Sequence, residues 1–272
     1  MTDPALPARP SWLVALVAIG GFVAVDAYAS GPSWTLVQAT GAPSGSWMRI
    51  AALGLLHWLP MVLVPLLATA ALFGRRAALP ALGLHHSPLR GLAFALLLTA
   101  PLAITYGATT PLRTDDAVWR EVAHYAVMGG AAEEVLYRAF LFGLLFRFAR
   151  WGFLPAALLG AAIFGAAHAY QGETAAEIAG VVAITAIGGV WFAWLLAEWR
   201  FDAWVPIGFH VLMNAWFNLF DVSETALLPL AGEVARAAVV LGSVIVTILL
   251  ARRRGGRVVR GRAWLRGGPP RQ

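Results

Sequence analysis

Apolar residues run along this chain in stretches of about twenty, separated by short segments rich in Pro, Gly and Arg. A bilayer core is crossed by about 20 mostly apolar helical residues. On that ruler the pattern predicts eight spans, at 11–29, 49–73, 89–109, 123–146, 152–170, 176–197, 203–220 and 226–250. Such stretches are too long for the buried helices of a water-soluble domain. The fourth and fifth are joined only by RFARWG (147–152), which makes them an antiparallel hairpin. The expected fold is all-α, a polytopic membrane helix bundle of about eight transmembrane helices. Residues 1–251 form a single transmembrane domain, with 120–220 as its candidate core, and 252–272 form an Arg-rich tail. The sequence shows no internal repeat and no long linker.

Composition sharpens this picture. The chain is 60% hydrophobic and 12% charged, where a soluble domain carries about 25% charged residues; so few charges cannot cover a water-facing surface. The absence of cysteine removes disulfides, thiolate catalysis and Cys-ligated metals together. All 20 basic residues are arginine, which points to a GC-rich bacterial source. A pI of 10.7 would suggest nucleic acid in a soluble protein. Here eight arginines lie after residue 251, so the reading is a membrane-facing tail and no nucleic-acid partner. Loop charge gives the sidedness. With eight spans the termini share a side; that side holds Arg9, Arg75, Arg76, Arg90, Arg147, Arg150, Arg200 and the tail, fifteen arginines in all. The other side holds four: Arg49, Arg113, Arg120 and Arg236. Both termini are expected in the cytoplasm, with the first apolar run retained as a span and the protein integral to a bacterial cytoplasmic membrane.

Ionisable groups in hydrocarbon cost about 3 kcal/mol or more each, so they need a partner or a function. The fourth span carries AAEEVLYRAF, with Glu133, Glu134 and Arg138 deep in an apolar stretch. Glu134 and Arg138 are four apart and can pair on one helix face. Glu133 points about 100° away and lacks that partner, which suits a group that takes and returns protons. The fifth span ends in FGAAH, with Phe164 and His168 four apart, and the seventh sets His210, Asn214 and Asn218 on one stripe. A lone Glu–Arg pair, a lone His or a lone His-x3-Asn is ordinary glue between helices. Three costly polar sites in one chain are not. Asp26 and His57 read as bundle contacts, His85 and His86 as solvated loop residues, and His124 as a possible satellite of the site. Trp12, Trp47, Trp119, Trp151, Trp199 and Trp204 lie near span ends, as interface anchors do.

At these residues the chain resembles the CPBP intramembrane proteases (CAAX protease and bacteriocin-processing, type II CAAX prenyl endopeptidase-like, formerly abortive-infection). Their Glu-Glu-x3-Arg, Phe-x3-His and His-x3-Asn motifs stand here as EEVLYR (Glu133 to Arg138), FGAAH (Phe164 to His168) and HVLMN (His210 to Asn214). The resemblance covers about 120–220. It implies an intramembrane endopeptidase that hydrolyses peptide bonds of membrane-associated proteins or peptides. Glu133 and His168 would activate the attacking water, and His210 and Asn214 would form the oxyanion hole. Glu134 and Arg138 would be an orienting pair, and Phe164 would shape the substrate pocket.

The family has also been described as metalloproteases. If zinc were held, Glu133, His168 and His210 would be its ligands; the absence of a His-Glu-x2-His helix and the oxyanion chemistry of Asn214 favour no cofactor. The alternative is a non-catalytic immunity or assembly factor that binds peptides in the same cavity; a third reading is a small proton-relaying transporter. Prenylated CAAX substrates belong to the family's eukaryotic branch, so bacteriocin leaders, lipopeptides and other membrane proteins remain open. One point strains the reading. A linear ruler puts His168 toward the outer end of its span and His210 toward the inner end of its own, yet the groups must converge. Gly129, Gly130, Pro206 and Gly208 are where helices are expected to bend or start late.

Overall fold

A computed structural model describes residues 8–220, 222–223 and 225–269. Ten helices organise them: α1 Ser11–Ala29, α2 Pro32–Ala39, α3 Trp47–Phe73, α4 Arg75–Ala81, α5 Pro88–Thr109, α6 116–148, α7 Phe153–Ala167, α8 Ala175–Glu198, α9 Trp204–Phe220 and α10 Leu230–Arg253. No strand occurs among the described residues beyond an isolated bridge between Trp151 and Arg266. The fold is all-α, as the apolar pattern predicts. Among the described residues six helices are long and apolar enough to cross a membrane: α1, α3, α5, α7 with the short turn after it, α8 and α10. The other two expected spans are present as helices and differ for physical reasons. The α6 helix carries the Glu and Arg side chains, and α9 has only 17 residues.

Each helix begins and ends where local chemistry directs. In α3 the ring of Pro60 has no N–H for the carbonyl of Leu56; the turn widens over Gly54–Trp58, and that carbonyl accepts the Tyr28 hydroxyl of α1 at 2.6 Å. A capping box opens α8, in which Thr174 accepts the Glu177 N–H and Glu177 returns the bond to the Thr174 N–H. Between α8 and α9 the chain turns sharply through Arg200 and Phe201, both left-handed at φ 58° and 62°. Gly83 is required beside them, since a Cβ there would lie 1.7 Å from the Phe201 carbonyl oxygen.

The centre of the bundle is α6. Asp115 caps it by accepting the Val118 N–H at 3.0 Å. Its turns are wide over Val122–Gly129, Glu134–Phe142 and Leu144–Phe148, with ordinary α turns at Asp116–Glu121 and Gly130–Glu133. Such i→i+5 turns are rare and cluster where function needs an unusual side-chain placement. Residues 134–146 are buried without a break, enclosed by α1, α3, α7, α8 and α9. The apolar core forms around them, with Phe140, Phe142, Phe146 and Phe153 fully buried.

Two readings from sequence need correction. Trp199 is not an interface anchor: it is 5% exposed, its indole N–H donates to Thr247 Oγ1 at 3.0 Å, and Arg254 lies over its ring. His85 and His86 are half-buried, with ring centroids 4.0 Å apart, rather than solvated. The Arg-rich segment after α10 folds back onto the bundle. Val258 and Val259 are buried, and both their N–H groups donate to the buried Glu198 carboxylate at 3.0 Å. Trp264 packs edge-on against Phe153, and Gly267 N–H donates to the Arg150 carbonyl.

Candidate active site

The polar cluster forms where α6 meets α9. A Cβ on Gly130 would lie 3.2 Å from the Val211 nitrogen and 3.4 Å from the His210 carbonyl carbon. Its missing side chain thus lets the α9 backbone close onto α6 one turn before the two glutamates. Gly208 plays the same part on the far side of α9, against Ala95 and the Gly91 carbonyl of α5. The glycines marked in the sequence as places for bending act instead as places for close approach. By that route His210 reaches the glutamates.

His210 stands between the two carboxylates. Its Nδ1 lies 2.8 Å from Glu134 Oε1, and its Nε2 lies 3.6 Å from Glu133 Oε2. Glu134 Oε1 is also 3.1 Å from Arg138 Nη1, so the i,i+4 pair expected from spacing forms. The expectation that Glu133 points away from this face needs revision, because consecutive glutamates flank one imidazole. The environment separates them: the Glu134 side chain is fully buried, whereas that of Glu133 is 20% exposed. With Nδ1–H given to Glu134, the ring has a fixed orientation and presents Nε2 to Glu133.

Arg138 is held by aromatic faces as well as by Glu134. Its guanidinium carbon sits 4.1 Å from the Phe164 ring centroid and 5.6 Å from that of Phe192. Phe164, expected as a pocket-shaping residue, is the hub of the apolar wall. Its ring contacts His168 at a centroid distance of 4.4 Å, Tyr137 at 5.1 Å and His210 at 6.1 Å. Both histidines therefore border one ring, although they start from opposite ends of their helices.

Not every expected contact is made. His168 terminates α7 and turns Nδ1 onto its own Phe164 carbonyl at 2.7 Å; the imidazole that meets Glu133 is His210. The Asn214 amide donates to the Tyr125 carbonyl in the wide turn of α6 at 3.3 Å, and Asn218 donates to the Asn214 carbonyl. Nor is the zinc set assembled. Among the described residues no three His, Asp or Glu side chains converge as a metal site requires, so the arrangement does not fit Glu133, His168 and His210 as joint ligands.

Sequence reasoning missed three participants. Phe192 lies 5.5 Å from the His210 ring and carries no motif. Tyr137 stands inside the Glu-Glu motif and packs edge-on against Phe22 of α1, ring centroids 5.0 Å apart. Gly189 lets α8 pass close to the Arg138 guanidinium. His57 and His124 form a separate outer cluster, in which Ser33 Oγ lies 2.8 Å from His57 Nδ1 and Trp58 touches both rings.

Residues 115–216 match the family model described as type II CAAX prenyl endopeptidase Rce1-like. Over that stretch the chain is similar to the Rce1-like endopeptidases. The matched residues are those that build the site, and the match agrees with the CPBP family that the three motifs resemble. No curated protein and no solved structure matches the chain. The Rce1-like segment begins at the Asp115 cap, takes in α6, α7, α8 and most of α9, and leaves out α1 to α5 and everything after Trp216. It is a protease family, and its apolar helices place the chain in a membrane.

Proposed function

We propose that this protein is a glutamate-dependent intramembrane endopeptidase, with Glu133 as general base and both termini in the cytoplasm. The observation that carries the reading is the division of labour around His210. One carboxylate, Glu134, is buried and paired to Arg138; the other, Glu133, is partly open and faces the free ring nitrogen at 3.6 Å. A purely structural ion-pair network would gain nothing from leaving one carboxylate partly exposed and short of a close contact.

The chemistry then runs as follows. Glu133 takes a proton from water, whose oxygen attacks the scissile carbonyl carbon. The oxyanion is stabilised by N–H donors: His210 Nε2 when the ring is protonated, and the Asn214 amide once released from Tyr125. Collapse breaks the C–N bond, and Glu133 returns its proton to the leaving amine. Glu134 and Arg138 hold His210 in place, and His168, against the same aromatic wall, confines the water. The family description makes a lipid-modified C-terminal peptide the first substrate class to assay, ahead of leader peptides and other membrane proteins. A binding-only role draws support from no particular contact in the site.

The test is cleavage of such peptides in reconstituted vesicles by wild type and Glu133→Gln. The reading expects a loss of about 10²–10⁴-fold in kcat with unchanged folding. Equal cleavage by both would remove Glu133 from the mechanism.

A further inference from the structure

At the end of the bundle where α6, α8 and α10 finish and α7 begins, the chain after α10 folds back over the helix ends. It is built to stay there. The two valine N–H groups sit on the buried Glu198 carboxylate. Trp264 and Ala263 pack inward, and backbone runs so close to backbone that a Cβ on Gly152 would lie 2.0 Å from the Leu265 carbonyl carbon. Arg150 adopts a left-handed conformation at φ 64° in this junction, and its Nη1 donates to the Pro269 carbonyl.

The fold-back encloses an open cavity of about 700 Å³ between the α6–α7 turn and the terminal segment. Four arginines line it, Arg150, Arg260, Arg262 and Arg266, and none of its lining residues is acidic. All four are exposed. Gathering like charges around one concavity is unfavourable unless an anion completes it. Guanidinium groups matched to phosphate oxygens do so in a bidentate way. Beside the arginines stands Leu265, 69% exposed, with Trp264 half-buried next to it. The position is the level of the membrane surface, where spanning helices end. Phosphate-binding groups with an adjacent exposed apolar side chain suit an amphiphile better than a free ion.

We propose that this arginine-lined cavity binds the phosphate of an anionic membrane phospholipid, whose acyl chain runs past Leu265. The bound lipid seals the fold-back segment onto the helix ends. The site is separate from the Glu133–His210 cluster and does not depend on it.

The test uses the purified full chain in a non-ionic detergent, with lipid binding read by native mass spectrometry. The probes are palmitoyl-oleoyl phosphatidylglycerol, the matching phosphatidylcholine, and glycerol phosphate as the chainless anion. Phosphatidylglycerol is expected to bind at least about tenfold more tightly than phosphatidylcholine, and glycerol phosphate is expected not to displace it. Each arginine near a lipid headgroup contributes about fivefold in affinity. R262Q/R266Q should therefore weaken phosphatidylglycerol by about 25-fold, while R252Q/R253Q, which removes the same charge outside the cavity, should cost under about threefold. If R262Q/R266Q is not monodisperse, R260Q replaces it, with about a fivefold loss expected. Equal losses in the two double variants would overturn the proposal in favour of diffuse surface attraction. Equal binding of the two lipids, or displacement by glycerol phosphate, would overturn it as well.

Discussion

Replacing Glu134 by alanine tests the core of the site, because it separates a buried charge from its partner without touching the proposed base. The Arg138 side chain is 3% exposed and lies 3.1 Å from the Glu134 carboxylate. Coulomb's law at that distance, with an effective dielectric of about 20, gives about 5 kcal/mol. Breaking a buried pair from one side costs about 3–5 kcal/mol in proteins. The aromatic faces of Phe164 and Phe192 stay behind, but they cannot replace a carboxylate, and His210 Nδ1 also loses its acceptor. E134A is therefore expected to lower stability by about 3–5 kcal/mol, read as a shift of the unfolding midpoint when mixed micelles are titrated with a denaturing detergent. E134Q/R138M removes both charges while keeping an acceptor for His210, and should return to within about 1–2 kcal/mol of wild type. A cost for E134A below about 1 kcal/mol would refute the argument. So would a double variant that loses the sum of its two single substitutions.

Phe164→Ala should cost about 3–5 kcal/mol by the same titration. Phe164→Leu should remain about 1–2 kcal/mol below wild type, the share of the guanidinium–ring contact; full recovery with leucine would remove that contact from the account. Glu198→Ala takes away two charge-assisted bonds, each contributing about 1.5–3 kcal/mol. Trypsin should then cut after Arg257 and Arg260 at least about tenfold faster, and an unchanged rate would show that the terminal segment is held by other means. At the start of α6, the Arg113 guanidinium holds the Asp115 carboxyl below its ordinary value of 3.8. A group lowered on folding stabilises the native state above its unfolded pKa, and that contribution is lost as pH falls through the folded value. Hydrogen exchange at 116–121, corrected for intrinsic rates, should show the first turn opening as pH falls below about 4. Asp115→Asn should flatten that dependence, and an identical profile in both proteins would remove the carboxylate from the cap.

The helical nature of the chain and the placement of its long helices were legible because hydrocarbon demands apolar runs of fixed length. The residues that meet in the site were legible for a related reason: Glu133, Glu134, Arg138 and His210 are too costly in an apolar run to be idle. Their mutual geometry was not. A 3.6-residue ruler puts Glu133 and Glu134 on different faces, and it is the close approach of α9 at Gly130 that sets one imidazole between the two carboxylates. The family resemblance pairs His168 with Glu133, but residue spacing cannot report that a helix ends at His168, with its ring turned onto its own backbone. The fold-back at the C-terminus was hidden by composition. Eight arginines dominate the segment, and the two valines and one tryptophan that dock it are few. Glu198 gives no sign in sequence of which N–H groups it will accept.

Because residues 134–146 are enclosed on every side, that stretch of α6 has no face with which to meet lipid. This bears on how the chain is assembled. Two of its walls, α1 and α3, are made before it, and three, α7, α8 and α9, only afterwards. A segment with two glutamates and an arginine is a poor candidate to enter the bilayer alone. The Glu134–Arg138 pair lessens that cost from within the helix, while Glu133 has no partner until His210 has been synthesised more than seventy residues later. On this reasoning α6 settles only once α9 has been made, and closing the bundle around residues 134–146 also brings His210 to the two glutamates.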